Sequence, residues 1–195
     1  MTADLIFAPE RLADGPLVEG LIARAFGPGR FVKAAERLRE GRTPARDLSF
    51  LAWKGEAAVG CVRLWPVTIG GAPALLLGPF AVEDGQRSAG VGAALIERAC
   101  DAAAKAGHGL ILLVGDSAYF SPLGFAAEPA RAVRMPGPVD QDRVLIKALR
   151  RGADADLAGA VRPAARDLAG QTAIEDPHPK ARHDHQRMTE PGSLR

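Results

Sequence analysis

The sequence predicts a mixed α/β domain, with a mostly antiparallel sheet of about six or seven strands, one parallel pair at its centre and helices on both faces. Three observations carry this expectation. Residues 48–82 read as a meander of apolar and β-branched runs, separated by the turn signals Lys54-Gly55-Glu56 and Gly70-Gly71. Residues 75–114 read as strand, helix, strand, and such a crossover sets its two strands side by side, parallel and right-handed. Those two strands, Leu75–Val82 and Leu110–Val114, are nearly unbroken apolar runs, as strands covered on both faces must be.

The elements follow in order. Leu5–Ala8 is a short first strand. Leu17, Val18, Leu21, Ile22 and Ala25 recur at helical spacing, and Gly27-Pro28-Gly29 ends that helix. Phe31–Arg39 predicts a second short helix closed by Gly41. Leu48–Trp53 and Ala57–Ile69 are strands, the latter interrupted by Pro66, and Ala74–Val82 completes the meander. Gly90–Ala106 is a helix with Val91, Leu95, Ala99, Ala102 and Ala106 on its apolar stripe and Glu97, Asp101 and Lys105 on its wet face. Gly107 suits the left-handed residue that ends such a helix. Ser117–Leu123 is a short helix capped by Gly124, a strand starts at Phe125, and Val144–Leu149 is the last clear strand. After Phe125 there is no Phe, Tyr or Trp, and from about residue 164 Ala, Asp, Arg, His and Pro alternate without period. Residues 1–163 are therefore expected to form one domain and 164–195 a disordered tail.

The bulk properties are those of a soluble protein. A chain of 195 residues holds one substantial core. Hydrophobic residues make up 47% and charged residues 25%, and a formal charge of +2 gives no ground for a nucleic-acid or membrane partner. The N-terminus lacks the basic and apolar regions of a signal peptide, and no apolar run approaches the ~18 residues of a membrane span. A cytoplasmic location is expected. Cys61 and Cys100 lie far apart without metal-ligand spacing, and no Cys–His pattern would activate either, so both are expected in the core. His178, His183 and His185 fall in the tail, and no metal site is expected.

Chemistry concentrates between Leu75 and Leu95. A buried strand leads to a polar loop carrying Arg87, Gly90 and Gly92, and a helix begins there. A helix N-terminus presents unpaired N–H groups and the positive end of a dipole, and glycines let a ligand approach the backbone. Together they make a cradle suited to a pyrophosphate. One kind of site with such a cradle is the dinucleotide fold, for which Gly90-Val91-Gly92 is the first half of a fingerprint and Asp116 a candidate ribose ligand. Leu95 at the third glycine position, and glycines that begin well past the strand tip, speak against it.

The other kind fits better. Arg87-Ser88-Ala89-Gly90-Val91-Gly92, followed by Ala93-Ala94-Leu95, resembles the acetyl-CoA loop Gln/Arg-x-x-Gly-x-Gly/Ala of the GCN5-related N-acetyltransferases. Downstream, Leu112-Leu113-Val114-Gly115-Asp116 and Ala118-Tyr119-Phe120-Ser121-Pro122-Leu123-Gly124-Phe125 resemble that family's next strand and its YY-x-x-x-GF segment, most closely in the YhbS-like branch. The resemblance covers about residues 3–163. It implies acetyl-CoA as acyl donor, no metal, and a small-molecule or protein amine as acceptor. It implies central strands that splay to admit the pantetheine arm, which would pair with the backbone of Phe80, Ala81 and Val82. Backbone N–H groups of Arg87, Ser88, Ala89, Gly90, Val91, Gly92 and Ala93 would hold the pyrophosphate, with Arg87 adding charge and Phe120 lining the site.

The same resemblance sets out the catalytic candidates. Gly78-Pro79 is expected at a bulge, because proline cannot donate to a central ladder, and a bulge frees an N–H to polarise a thioester carbonyl; the alternative is a simple kink or strand end. Aligned on Leu123-Gly124-Phe125, the family's usual acid, a tyrosine, falls at Phe120. Tyr119, the chain's single tyrosine, lies one residue earlier, a turn of about 100° on a helix. Tyr119 is the candidate acid; otherwise CoA leaves as thiolate or takes its proton from water. Glu83, Asp84 and Asp116 at the strand ends are candidate bases, as is a water relay. The acceptor-facing segments, around 27–42 and 126–142, carry no readable motif. A catalytically silent acyl-CoA-binding module and a dinucleotide-dependent oxidoreductase are the competing functions. An exposed last strand leaves a homodimer open.

Overall fold

The structure, a computed structural model, describes residues 5–27 and 34–165. The expected tail from residue 166 onward, and the first residues of the helix expected over 31–39, lie outside the described residues. The elements are β1 (Leu5–Pro9), α1 (Gly15–Phe26), β2 (Phe50–Lys54), β3 (Ala57–Ile69), β4 (Ala72–Val82), α2 (Val91–Lys105), β5 (Leu110–Val114), α3 (Ser117–Phe120), β6 (Ala132–Arg134), β7 (Val144–Ala148) and β8 (Ala158–Pro163). The main sheet runs β1-β2-β3-β4-β5-β7, and β8 pairs with both β3 and β6. All ladders are antiparallel except β4–β5 and β6–β8. The mixed, mostly antiparallel sheet with a central parallel pair is as expected, with eight strands among the described residues.

Three local expectations are corrected. Between Ala34 and Arg39 there is a single 3-10 turn, Glu36–Leu38, instead of a regular helix. No strand begins at Phe125; an isolated bridge joins Ala126 to Ile146, and a 3-10 turn over Glu128–Ala130 follows before β6. Among the described residues a further strand, β8, follows β7. Its residues Ala158, Gly159 and Ala160 carry almost no apolar bulk, and Val161 alone is buried, so no alternation announces it.

The two hairpins turn where glycine permits positive φ. Gly55 (φ 60°) closes β2–β3, and Gly70 (φ 57°) with Gly71 (φ 98°) closes β3–β4. Gly70 is required twice over, because a Cβ there would collide with the Ala158 carbonyl of β8. Pro66 is accommodated inside β3 by the way the outer edge of that strand is shared. There β2 covers Ala57–Val62 and β8 covers Val67–Ile69, so Pro66 falls between them, where no ladder needs its missing N–H.

The sheet buries both faces. On one, Val91, Leu95, Ile96 and Ala99 of α2 pack on Val62, Leu64, Leu75, Leu77, Ile111 and Leu113. On the other, Val18, Leu21 and Ile22 of α1 pack on Leu51, Cys61 and Ala81. Farther along that second face, Trp65, Val67, Leu76, Leu112, Val133 and Val161 form a separate cluster. No helix of the described residues is long and apolar enough to cross a membrane.

Between the two clusters of the second face stands Arg63, flanked along β3 by Cys61 and Trp65, which point the same way. It is buried, and so is Glu10. Arg63 Nε and Nη2 donate to Glu10 Oε2 and Oε1 at 2.8 and 2.9 Å, and Nη1 donates to Glu19 Oε1 at 2.6 Å. Arg46 Nη1 adds a bond to Glu10 Oε1 at 2.8 Å. Removing one member of such a network strands a charge in low dielectric. Glu10→Ala is therefore expected to lower the unfolding free energy by about 3–5 kcal/mol in urea titration. Arg24→Ala, which removes an exposed partner of Glu83, is expected to cost no more than about 1 kcal/mol; equal costs for the two would refute the role given to the buried network.

Candidate active site

The site begins with a ladder that stops. Strands β4 and β5 pair only at Leu75↔Ile111 and Leu76↔Leu112. Beyond them β4 continues along β3 to Val82 while β5 follows β7 to Val114, so no ladder joins Leu77–Val82 to Leu113–Val114. Opposite β3 the register also breaks, from Leu64↔Leu77 to Val62↔Phe80. Gly78 and Pro79 together face Arg63 alone, which is the expected bulge, with Gly78 at φ 128° and a cis bond to Pro79. Pro79 has no N–H, so an amide freed by the bulge would be that of Gly78 or Phe80.

The loop after β4 is a 3-10 segment, Asp84–Ala89, that delivers Gly90 in a left-handed conformation (φ 72°) as the N-cap of α2. Gly90 has no side chain to cap this helix and no acid occupies its first turn, so no carboxylate of that turn competes for its first amides and its dipole. At Gly92 a Cβ would run into the Tyr119 hydroxyl and stand 2.8 Å from Phe80 Cζ, so a side chain there would displace both rings. The eight-residue separation of strand from helix (83–90), and Leu95 buried in the core at the position of a third glycine, do not fit a dinucleotide fingerprint.

Gap, bulge and helix end open into one cavity of about 660 Å³, within the range of small-molecule sites. It is lined from both faces of the sheet. Phe80, Gly92, Tyr119 and Phe120 line it on the α2 side, and Phe26, Ala35, Arg39 and Val139 on the other. Of the residues expected from sequence, Phe80, Ala81, Val82, Arg87, Gly92, Asp116, Tyr119 and Phe120 line it. Ala89 and Gly90 are exposed and do not line it, and Val91 turns its side chain into the core. Ser88 belongs to the 3-10 segment and Ala93 to the first turn of α2. Arg87 pairs with Asp84 at 2.7 Å on the surface.

The acid–base candidates separate. Glu83 does not line the cavity; Arg24 of α1 donates to its Oε1 from Nε and Nη2 at 2.9 and 2.6 Å. Asp116 does line it, and its Oδ1 caps α3 by accepting from the Ala118 N–H at 3.0 Å. Asp140, which sequence reading passed over, caps the turn at Gln141–Arg143 in the same way. Tyr119 is 44% exposed, and its partial burial raises the phenol pKa, so the hydroxyl keeps its proton at neutral pH. Its ring lies 6.1 Å from Phe80 and 4.9 Å from Phe120. The hydroxyl stands over Gly92, at the helix end of the cavity, whereas the side-chain atom nearest the Cβ position of Gly78 is Arg39 Nη1. Phe120 is buried, edge-on to Phe125, with its ring filling the space a Cβ on Gly115 would need. Arg39 and Arg143 also line the cavity and carried no sequence signal.

The model of the acetyltransferase (GNAT) family matches residues 19–125. Among solved structures, the chain is similar to the GNAT family N-acetyltransferase YhbS from Escherichia coli in complex with CoA, at 23% identity and a TM-score of 0.72 over 84% of this chain and 92% of that one. It is also similar to a GNAT family acetyltransferase from Brucella melitensis in complex with acetyl-CoA, at 22% identity and a TM-score of 0.63 over 84% and 97% of the two chains. An acetyltransferase of the GNAT family from Staphylococcus aureus gives 14% identity and a TM-score of 0.55 over 75% of this chain and the whole of the other. No curated protein sequence matches at a significant level.

Both cysteines are buried, and burial pushes their thiols up to about 12 for Cys61 and about 11 for Cys100. Neither lines the cavity, and the thiolate fraction at neutral pH is negligible. A disulfide reagent at pH 7.5 is expected to leave both thiols unreacted over the time in which it titrates two per chain in denaturant. Rapid reaction of either in the folded protein would reopen a covalent acyl-cysteine route.

Proposed function

The chain belongs to the acetyltransferase (GNAT) family, and on that premise we propose that it moves an acetyl group from acetyl-CoA to a primary amine by direct attack in a ternary complex. The observation that carries this reading is the stretch Leu77–Val82, which keeps one ladder and lacks the other. An extended amide chain such as pantetheine can supply the missing ladder to Phe80, Ala81 and Val82. The amides from Arg87 to Ala93 offer the pyrophosphate an N-terminal cradle with no competing acid in the first turn of the helix. The bulge presents a free amide, that of Gly78 or Phe80, to the carbonyl on which negative charge develops.

The transfer needs the amine nitrogen to attack the thioester carbon, so that a C–N bond forms as the C–S bond breaks. The amine proton leaves through water with Asp116 as the nearby carboxylate, and the departing sulfur takes the proton of Tyr119. Because its hydroxyl stands over Gly92, Tyr119 must swing along Phe80 to reach a sulfur near the bulge. A second reading, an acyl-CoA-binding module without turnover, draws on that placement and on Phe120 at the family's tyrosine position.

A thermal-shift titration with acetyl-CoA, CoA, NADH and NADPH tests the binding half. Acetyl-CoA at a hundred times its Kd is expected to stabilise the fold by about 2.7 kcal/mol, and the shift is expected to vanish in Gly92→Trp, whose side chain would take the room of Tyr119 and Phe80. No shift with either CoA species at millimolar concentration would sink the proposal, and a shift with NADH or NADPH alone would favour dinucleotide chemistry. For the chemical half, Tyr119→Phe is expected to lower kcat by about 100-fold while keeping the acetyl-CoA shift. An unchanged kcat would mean that the thiolate leaves without Tyr119, and acetyl-CoA binding with no amine turned over would select the silent module.

A further inference from the structure

The side of the cavity away from α2 holds a cation that this transfer does not use. Arg39 follows the turn Glu36–Leu38, and its side chain is only 9% exposed. Nη2 donates to Glu36 Oε2 at 2.5 Å. Nε is buried and has no hydrogen-bond partner among the described residues. Nη1 lies 3.5 Å from where a Cβ on Gly78 would stand, so the guanidinium sits against the bulge. A guanidinium has more donors than one carboxylate oxygen can satisfy, and a buried donor left unpaired is costly.

Among the described residues no second partner bonds the guanidinium. The cavity's own acids, Asp116 and Asp140, are engaged as caps. Arg87 is paired with Asp84 on the surface, and Arg143 Nε reaches the Gly115 carbonyl at 3.4 Å. Phe26, Ala34, Ala35 and Val139 supply apolar walls, which strengthen any charge pair formed between them. An apolar chamber with one half-satisfied guanidinium at its reactive end matches a ligand with an apolar body and one carboxylate.

We propose that Arg39 binds a carboxylate of the acceptor, so that the acceptor is a small primary amine of amino-acid type. The proposal rests on the acetyl-transfer reading above. A carboxylate held at Arg39 brings an amine on the neighbouring carbon to the bulge, where the free amide polarises the carbonyl. The acceptor thus enters from the face opposite Gly92, and the planar fork of Arg39 rejects amines that lack the acid.

The test compares each amino acid with its decarboxylated amine: L-phenylalanine with 2-phenylethylamine, L-leucine with 3-methylbutylamine, and L-lysine with cadaverine. CoA release is followed for the wild type, Arg39→Gln and Arg39→Lys. At least one amino acid is expected to exceed its amine about tenfold or more in kcat/KM. Arg39→Gln should erase that preference by raising KM for the amino acid, with kcat and the amine's KM within about twofold of wild type; Arg39→Lys should keep part of it. The acetyl-CoA thermal shift of each variant reports an intact fold, and Arg39→Lys, which retains the charge facing Glu36, carries the comparison should Arg39→Gln lose that shift. Equal use of acid and amine, a preference that survives Arg39→Gln, or no amino acid turned over above background would each overturn the proposal. So would an equal fall in kcat for both members of a pair, which would assign Arg39 to the transferring carbonyl. Those four results leave acetyl transfer standing, whereas the absence of any acetyl-CoA shift in the wild type overturns both.

Discussion

Strand β4 keeps its ladder to β3 from end to end except at Gly78-Pro79, and its ladder to β5 for two residue pairs only. Everything functional follows from that inequality. Buried backbone groups demand partners, and a central strand that lacks them on one side is tolerable only where something else can reach them. Along the gap a bulge sets two residues of β4 against one of β3. The residue on β3 that faces those two is Arg63, clamped by Glu10 and Glu19. The irregular point of the sheet is thus backed by the most heavily ion-paired residue of its interior.

Much of this was legible in the chain because it depends on local sequence. The bounds of β3 and β5 are those the apolar runs predict, and α2 differs by one residue at each end. The glycines at the start of α2 and the Gly78-Pro79 pair announce a cradle and a bulge by backbone chemistry alone. What was not legible depends on partners distant in sequence. β8 has side chains too small to show a period and owes its place to β3 and β6. Glu83 at the end of β4 reads as facing the cleft, yet Arg24, which is 59 residues earlier, turns it toward α1. Arg39 sits in a segment that reads as a helix; only the fold brings it against Gly78.

The cavity is lined from both faces of the sheet, and its two sides rest on different cores. On the α2 side stands the cluster built by Leu95, Ile96 and Phe120, and on the other Ala35 and Val139 pack on the cluster of Trp65, Leu76 and Leu112. The sheet itself is the wall between them. Packing changes on one side are therefore absorbed by their own cluster before they reach the other. On the transfer proposed above, such a plan would let the acceptor side change its shape over evolutionary time while the donor side keeps its own.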